Sequence, residues 1–119
     1  MTKNFSDFEK SVVLNWVIQY CSGYKNAKNL KDIVPFLVPK IEERKFRKIF
    51  NELGAENGCY SSIKRGYWYL PLVSTDSEEI TVALEALAER KRRALNTIES
   101  ISKNEKRLQG MRQGQKELV

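Results

Sequence analysis

The chain has 119 residues, 41% hydrophobic and 30% charged, which gives room for one compact core with an appendage and argues against wholesale disorder. It holds no histidine, so the usual general base, the usual triad partner and the commonest transition-metal ligand are all missing, and its net charge is +6. No apolar run approaches the roughly 20 residues that cross a bilayer, and the N-terminal MTKNFSDFEK lacks the basic-then-apolar layout of a signal peptide, so a cytoplasmic protein without membrane association is expected.

The basic excess is uneven. Residues 1–73 carry 12 Lys and Arg against 7 Asp and Glu, whereas residues 74–119 carry 9 against 8. A basic front part suits an anionic partner, and a nearly balanced tail suits a protein partner. Cys21 and Cys59 fall in separate predicted elements without CxxC spacing, which points to core thiols rather than to a disulfide or a zinc site. With no phosphate loop, paired carboxylates or ligand cluster in sight, neither an enzyme nor a cofactor or metal is expected.

In chain order, Ser6 with Glu9 three residues on forms a capping-box signature and predicts a helix over 7–21. Its expected buried face is Phe8, Val12, Val13, Trp16, Val17 and Tyr20, with Gly23 as the stop. Asn29 is placed to cap a second, short helix carrying Leu30, Ile33, Val34 and Leu37, although Pro35 requires it to start late, near Asp32, or to be distorted. Pro39 closes it in a tight turn, Val38-Pro39-Lys40-Ile41. A third helix over 42–53 turns Phe46, Ile49, Phe50 and Leu53 inward and stops at Gly54.

CYSSIKRGYWYLPL then reads as a hairpin about a Lys64-Arg65-Gly66 turn, ended by Pro71. Strand alternation makes Trp68 with Leu70, or Tyr67 with Tyr69, a contribution to the core rather than a base-stacking platform. Residues 74–77 form a linker with several N-cap candidates, and a long amphipathic helix is expected over 78–108, with a flexible tail over 109–119. In heptad terms Leu84, Lys91, Ile98 and Glu105 take position a, and Ile80, Leu87, Ala94, Ile101 and Leu108 take position d. The apolar members Ile80, Leu84, Leu87, Ala94, Ile98, Ile101 and Leu108 are the expected dimerisation residues. Lys91 and Glu105 are expected either to set the register or to mark where the stripe packs on the first domain.

Three helices followed by a basic-tipped hairpin is the order of a winged helix. The expected fold is therefore mainly α with a small β-hairpin: a winged helix-turn-helix over 1–73 followed by the long C-terminal helix. In such a fold the helix over 42–53 lies in the DNA major groove. Its outer side chains Arg44, Lys45, Arg47, Lys48 and Asn51 are of suitable chemistry: arginine grips guanine with two hydrogen bonds, asparagine does so for adenine, and lysine offers a point charge to phosphate. Lys64 and Arg65 at the hairpin tip add a second basic projection.

The stretch KDIVPFLVPKIEERKFRKIFNELG followed by CYSSIKRGYWYL resembles the short winged-helix proteins of temperate phages and prophages of bacteria. Their pattern joins an R-x-x-R-x-I-x-x-L recognition helix to a wing ending in GYW and then a charged helix. Arg44, Arg47, Ile49 or Phe50, Leu53 and Gly66-Tyr67-Trp68 stand at matching places, and the resemblance covers residues 28–100. Pro35 and the longer turn around Pro39 depart from the pattern. The resemblance implies double-stranded DNA binding in phage transcription or replication control within a bacterial cell, carried by Arg44, Arg47, Lys48, Asn51, Lys64 and Arg65. The competing expectation is a protein-interaction module that binds or inhibits a host protein through the first domain or the long helix.

Overall fold

The computed structural model describes residues 6–117; the remaining parts of the expected first domain and tail, residues 1–5 and 118–119, lie outside the described residues. The described chain is mostly helical, with one two-stranded antiparallel hairpin and a long C-terminal helix. It divides into two compact units, with the boundary inside that last helix between Leu87 and Ala88. Among the described residues, no helix is long and apolar enough to cross a membrane.

The first helix, α1, spans Asp7–Tyr20 and starts at the expected capping box. The Glu9 N–H donates to Ser6 Oγ (3.2 Å) and the Ser6 N–H donates to Glu9 Oε1 (3.0 Å), so two orphan donors are satisfied reciprocally. Its buried strip is narrower than the sequence suggested. Val13 and Val17, continued by Cys21 at the same four-residue spacing, are enclosed, while Phe8 and Tyr20 are exposed. At about 100° per residue Phe8 falls on the side of the helix opposite Val13 and Val17, and Tyr20 at the edge of their strip, so both stay in contact with water. Trp16 and Tyr20 pair their rings there at 4.6 Å.

The helix expected from Asn29 to Leu37 does not form. The chain instead makes separate 3-10 turns at Tyr24–Asn26, Leu30–Asp32 and Val34–Phe36. Pro35 has no N–H to donate and disfavours helical geometry at the residue before it, and the Asn29 side chain makes no capping bond. Three-residue bonds take over, such as Asp32 N–H to Asn29 O (2.9 Å) and Phe36 N–H to Ile33 O (3.1 Å). Ile33 and Leu37 still reach the core.

The second α-helix, α2, spans Glu43–Leu53 and ends at Gly54, whose φ of +61° suits glycine. Phe46, Ile49, Phe50 and Leu53 form its buried face, against α1 and the hairpin. Two ion pairs tie its flank to α1, Lys45 to Glu9 (2.7 Å) and Lys10 to Glu52 (3.1 Å). Partly exposed pairs at a surface contribute about 1 kcal/mol, so the apolar contact carries the packing.

Strands β1, Cys59–Ser62, and β2, Gly66–Tyr69, pair antiparallel in the register Cys59 with Tyr69 and Tyr60 with Trp68. The other edge of β2 is also occupied. Tyr69 N–H donates to Cys21 O (2.8 Å), Gly23 N–H to Tyr69 O (2.8 Å), and Tyr67 and Lys28 exchange both backbone bonds. β2 is thus central, flanked by β1 and by the irregular segment after α1. At Gly66, with φ +96°, any Cβ would collide with the Lys28 carbonyl that approaches this edge.

Both faces of β2 are covered. Tyr67 meets Phe46 and Phe50 edge-on, with ring centroids at 5.3 and 4.8 Å, and so joins the α1–α2 core. Trp68 points the other way into a second cluster with Tyr60, Val82 and Ala86. Cys21 and Cys59 lie in the first core as free thiols, and burial pushes them up to about 11 and about 12, which leaves them unreactive at neutral pH.

The last helix, α3, spans Ser77–Glu117. Asp76 caps it by accepting from the N–H groups of Glu78 (3.0 Å) and Glu79 (3.1 Å). Two expectations are corrected. First, residues 78–87 do not stand apart behind a linker: Val82, Ala83 and Ala86 are buried, and the Glu79 carboxylate accepts from Tyr24 N–H (3.1 and 3.2 Å). Desolvation there, with Asp76 and Glu78 nearby, holds the Glu79 carboxyl above its ordinary value, against the opposing pull of Lys25. Second, residues 109–117 continue the helix. Gly110 and Gly114 each cost about 1 kcal/mol relative to alanine, a penalty that lowers helicity without breaking it, and no proline intervenes.

Glu9 gives a pH prediction. Its bonds from Lys45 and from the Ser6 N–H hold its carboxyl below the ordinary 4.5. The stability this provides is present above the unfolded-state value and is lost as pH falls through the lower folded-state value. Glu9→Gln should therefore melt below the parent at pH 7, with the gap closing as pH falls below the ordinary 4.5 and through the lower folded-state value; a gap that is constant with pH would show that the charge contributes nothing.

Candidate nucleic-acid interface

The outer face of α2 is the opposite consequence of the pattern that builds its inner face. With 3.6 residues per turn, Arg44, Arg47, Lys48 and Asn51 fall within about 100° of arc, opposite the buried Phe46, Ile49, Phe50 and Leu53. All four are exposed, and among the described residues no ion pair engages Arg44, Arg47 or Lys48. Three cations and one amide with two-sided hydrogen-bonding capacity are therefore presented together to solvent.

Lys45 is the exception among the residues expected on this face. It lies at the flank of α2, half-buried, with its ammonium drawn to Glu9 of α1. Adjacency in sequence to Arg44 placed it with the basic group, but one residue is about 100° of helical rotation, enough to turn it toward the neighbouring helix. Its charge is largely neutralised within the fold.

Lys40, which precedes α2, was not foreseen. It joins Glu42, Arg44, Lys45 and Lys48 around an open cavity of about 330 Å³ at the start of the helix. The sequence signal for it was present in its position just outside the helix, next to Pro39, where an exposed lysine reaches the same side as the first turn. Glu42 and Glu43 face the positive helix N-terminus, as expected from their position.

At the hairpin, the two expected basic residues differ. Lys64 is exposed at the turn, beside Ile63, which is also exposed. Arg65 is half-buried and its guanidinium sits over the Tyr24 ring at 4.7 Å, with Lys25 Nζ 6.0 Å from the same ring. This contact fixes the arginine while leaving its cationic edge able to bind an anion. Lys25 and Tyr24 thus extend the basic hairpin group, and no pattern in the sequence links residues forty positions apart. Compared with protein-family models, with curated proteins and with solved structures, the chain has no match.

Along α3 the expected dimerisation residues are uncovered. Leu84 is 60% exposed, and Ile80 and Leu87 also stand outside the buried face that Val82 and Ala86 form. In the second unit, Ile98, Ile101 and Leu108 are exposed as well, along with Ala94.

Proposed function

We propose that the chain is a small winged helix-turn-helix protein that binds double-stranded DNA through the outer face of α2, with the hairpin as a wing. It acts as a transcriptional or replication regulator of the temperate-phage type in the bacterial cytoplasm, as a dimer held by α3. The observation that carries this reading is the exposed, unneutralised group Arg44, Arg47, Lys48 and Asn51 on one face of a helix whose other face is anchored. Support also comes from the order α1, turns, α2, hairpin, and from the third backbone segment on the far edge of β2. In this reading Arg44, Arg47 and Asn51 meet base edges, and Lys48, Lys64 and Arg65 meet phosphates.

The test is a salt series with random duplex DNA, followed by selection of preferred sequences. Each phosphate neutralised releases counterions, so affinity should fall steeply with salt. Arg47→Ala should weaken binding to the selected sequence by about 1–3 kcal/mol while relaxing preference at one position. Binding unchanged by Arg47→Ala removes the base-reading role.

One observation favours the second reading, a protein-interaction module. Trp16, Tyr20 and Phe36 line an open groove with Lys28 and Asp32, and Phe36 is 63% exposed. Exposed aromatics of this kind serve protein contacts. No detectable duplex binding at low salt in the same series would favour this reading over the first.

A further inference from the structure

The second unit, from Ala88 on, is a stretch of α3 with an apolar stripe that its own unit does not cover: Leu95, Ile98, Ile101 and Leu108 are each about half exposed. In proteins a helix gains most of its stability from packing its apolar face, so the uncovered stripe calls for an occupant. Two charges on the stripe say which one. Lys91 and Glu105 lie seven residues before and seven after Ile98, on its face of the helix, and both are exposed. Among the described residues neither is in an ion pair; Arg93 with Glu89 is the pair formed in this unit.

We infer that two copies of α3 pair antiparallel about a two-fold axis close to Ile98. The inference rests on the self-association proposed above and adds its direction. A two-fold axis at that point exchanges the two ends of the stripe, so Lys91 of each copy comes within a helical turn of Glu105 of the other, twice over. A parallel pair, which symmetry keeps in register, sets Lys91 against Lys91 and Glu105 against Glu105 in the seam, where like charges repel. The stripe is thus electrostatically self-complementary in one direction and self-repelling in the other. A foreign helix would need a matching opposite pair at the same fourteen-residue spacing, whereas a second copy supplies it by symmetry.

The experiment is a charge-exchange cycle on the full chain, read as the dimer dissociation constant from sedimentation. Lys91→Glu and Glu105→Lys should each raise that constant by about tenfold, since each turns two attractions into two repulsions, and the double exchange should restore it to within about threefold. Equal constants for all four proteins would overturn the antiparallel direction, because a parallel pair keeps like against like throughout.

A second readout does not depend on these charges. Nitroxides on Gln113→Cys, an exposed site in a chain whose own thiols are buried, should lie about 45 Å apart across an antiparallel pair, at 1.5 Å per residue over thirty residues. A separation below about 20 Å would overturn the direction while leaving the dimer. A monomer at micromolar concentration that still binds duplex DNA would overturn the pairing and leave the DNA reading intact. A dimer with the long separation that binds no DNA would do the reverse.

Discussion

Trp68→Ala is expected to lower the unfolding free energy by about 3–5 kcal/mol. Trp68 is fully buried and joins two parts of the chain: the hairpin, through Tyr60 stacked at 6.1 Å, and the first turns of α3, through Val82 and Ala86. Removing the indole empties the centre of that cluster, and Val82 and Ala86 are too small to fill it. The loss should read out in denaturant unfolding as a lower midpoint. Trp68→Phe isolates a second effect. The indole Nε1 is buried without an acceptor among the described residues, a cost of about 1–3 kcal/mol that phenylalanine does not bear. Phenylalanine should therefore cost much less than alanine, below about 1.5 kcal/mol, despite the smaller ring. An alanine variant within about 1 kcal/mol of the parent would mean that α3 does not hold the hairpin in solution.

The role of Trp68 also marks the limit of what the sequence alone could yield. Local rules worked where the cause was local. The Ser6–Glu9 capping box, the stop at Gly54 and the turn at Gly66 depend on residues a few positions apart, and α1, α2 and the hairpin follow from them. The segment from Leu30 to Phe36 shows competition between rules: its apolar spacing is helical, but Pro35 removes a donor in the middle, and the core positions of Ile33 and Leu37 are kept on 3-10 turns. Strand alternation left open whether Trp68 or Tyr67 faced the core, since either choice fits a sheet with one wet face. Both are packed because α3 returns over the second face, a contact between positions 68 and 82 that no periodicity encodes.

The same distinction runs through the candidate site. Helical spacing was enough to set Arg44, Arg47, Lys48 and Asn51 on one exposed face, since α2 is regular and its inner face is plainly apolar. The fate of Lys45 was decided by Glu9, on another helix, and that of Arg65 by the Tyr24 ring. Charge counting treats all such residues alike, but a cation already held by a carboxylate has little to offer a phosphate.

That difference sets up the sharpest test of the interface. Arg44→Glu, Arg47→Glu and Lys48→Glu combined are expected to weaken duplex binding by about a thousandfold or more, since each change removes an interaction worth about 1–3 kcal/mol and adds repulsion from the backbone. The slope of log affinity against log salt should fall by about 0.9 for each phosphate that is no longer neutralised. Lys45→Ala, by contrast, should change affinity by less than about threefold, because its ammonium is spent on Glu9, while lowering the melting temperature at neutral pH by weakening the tie between α1 and α2. All four side chains sit outside the apolar core, so folding should survive and the comparison should report on binding. If Lys45→Ala abolished binding and the triple exchange did not, the interface would have to be moved to the α1–α2 flank. If neither mattered and binding persisted with a shallow salt slope, the basic face of α2 would be a solvated surface, and the groove of Trp16, Tyr20 and Phe36 would become the better candidate for what this protein recognises.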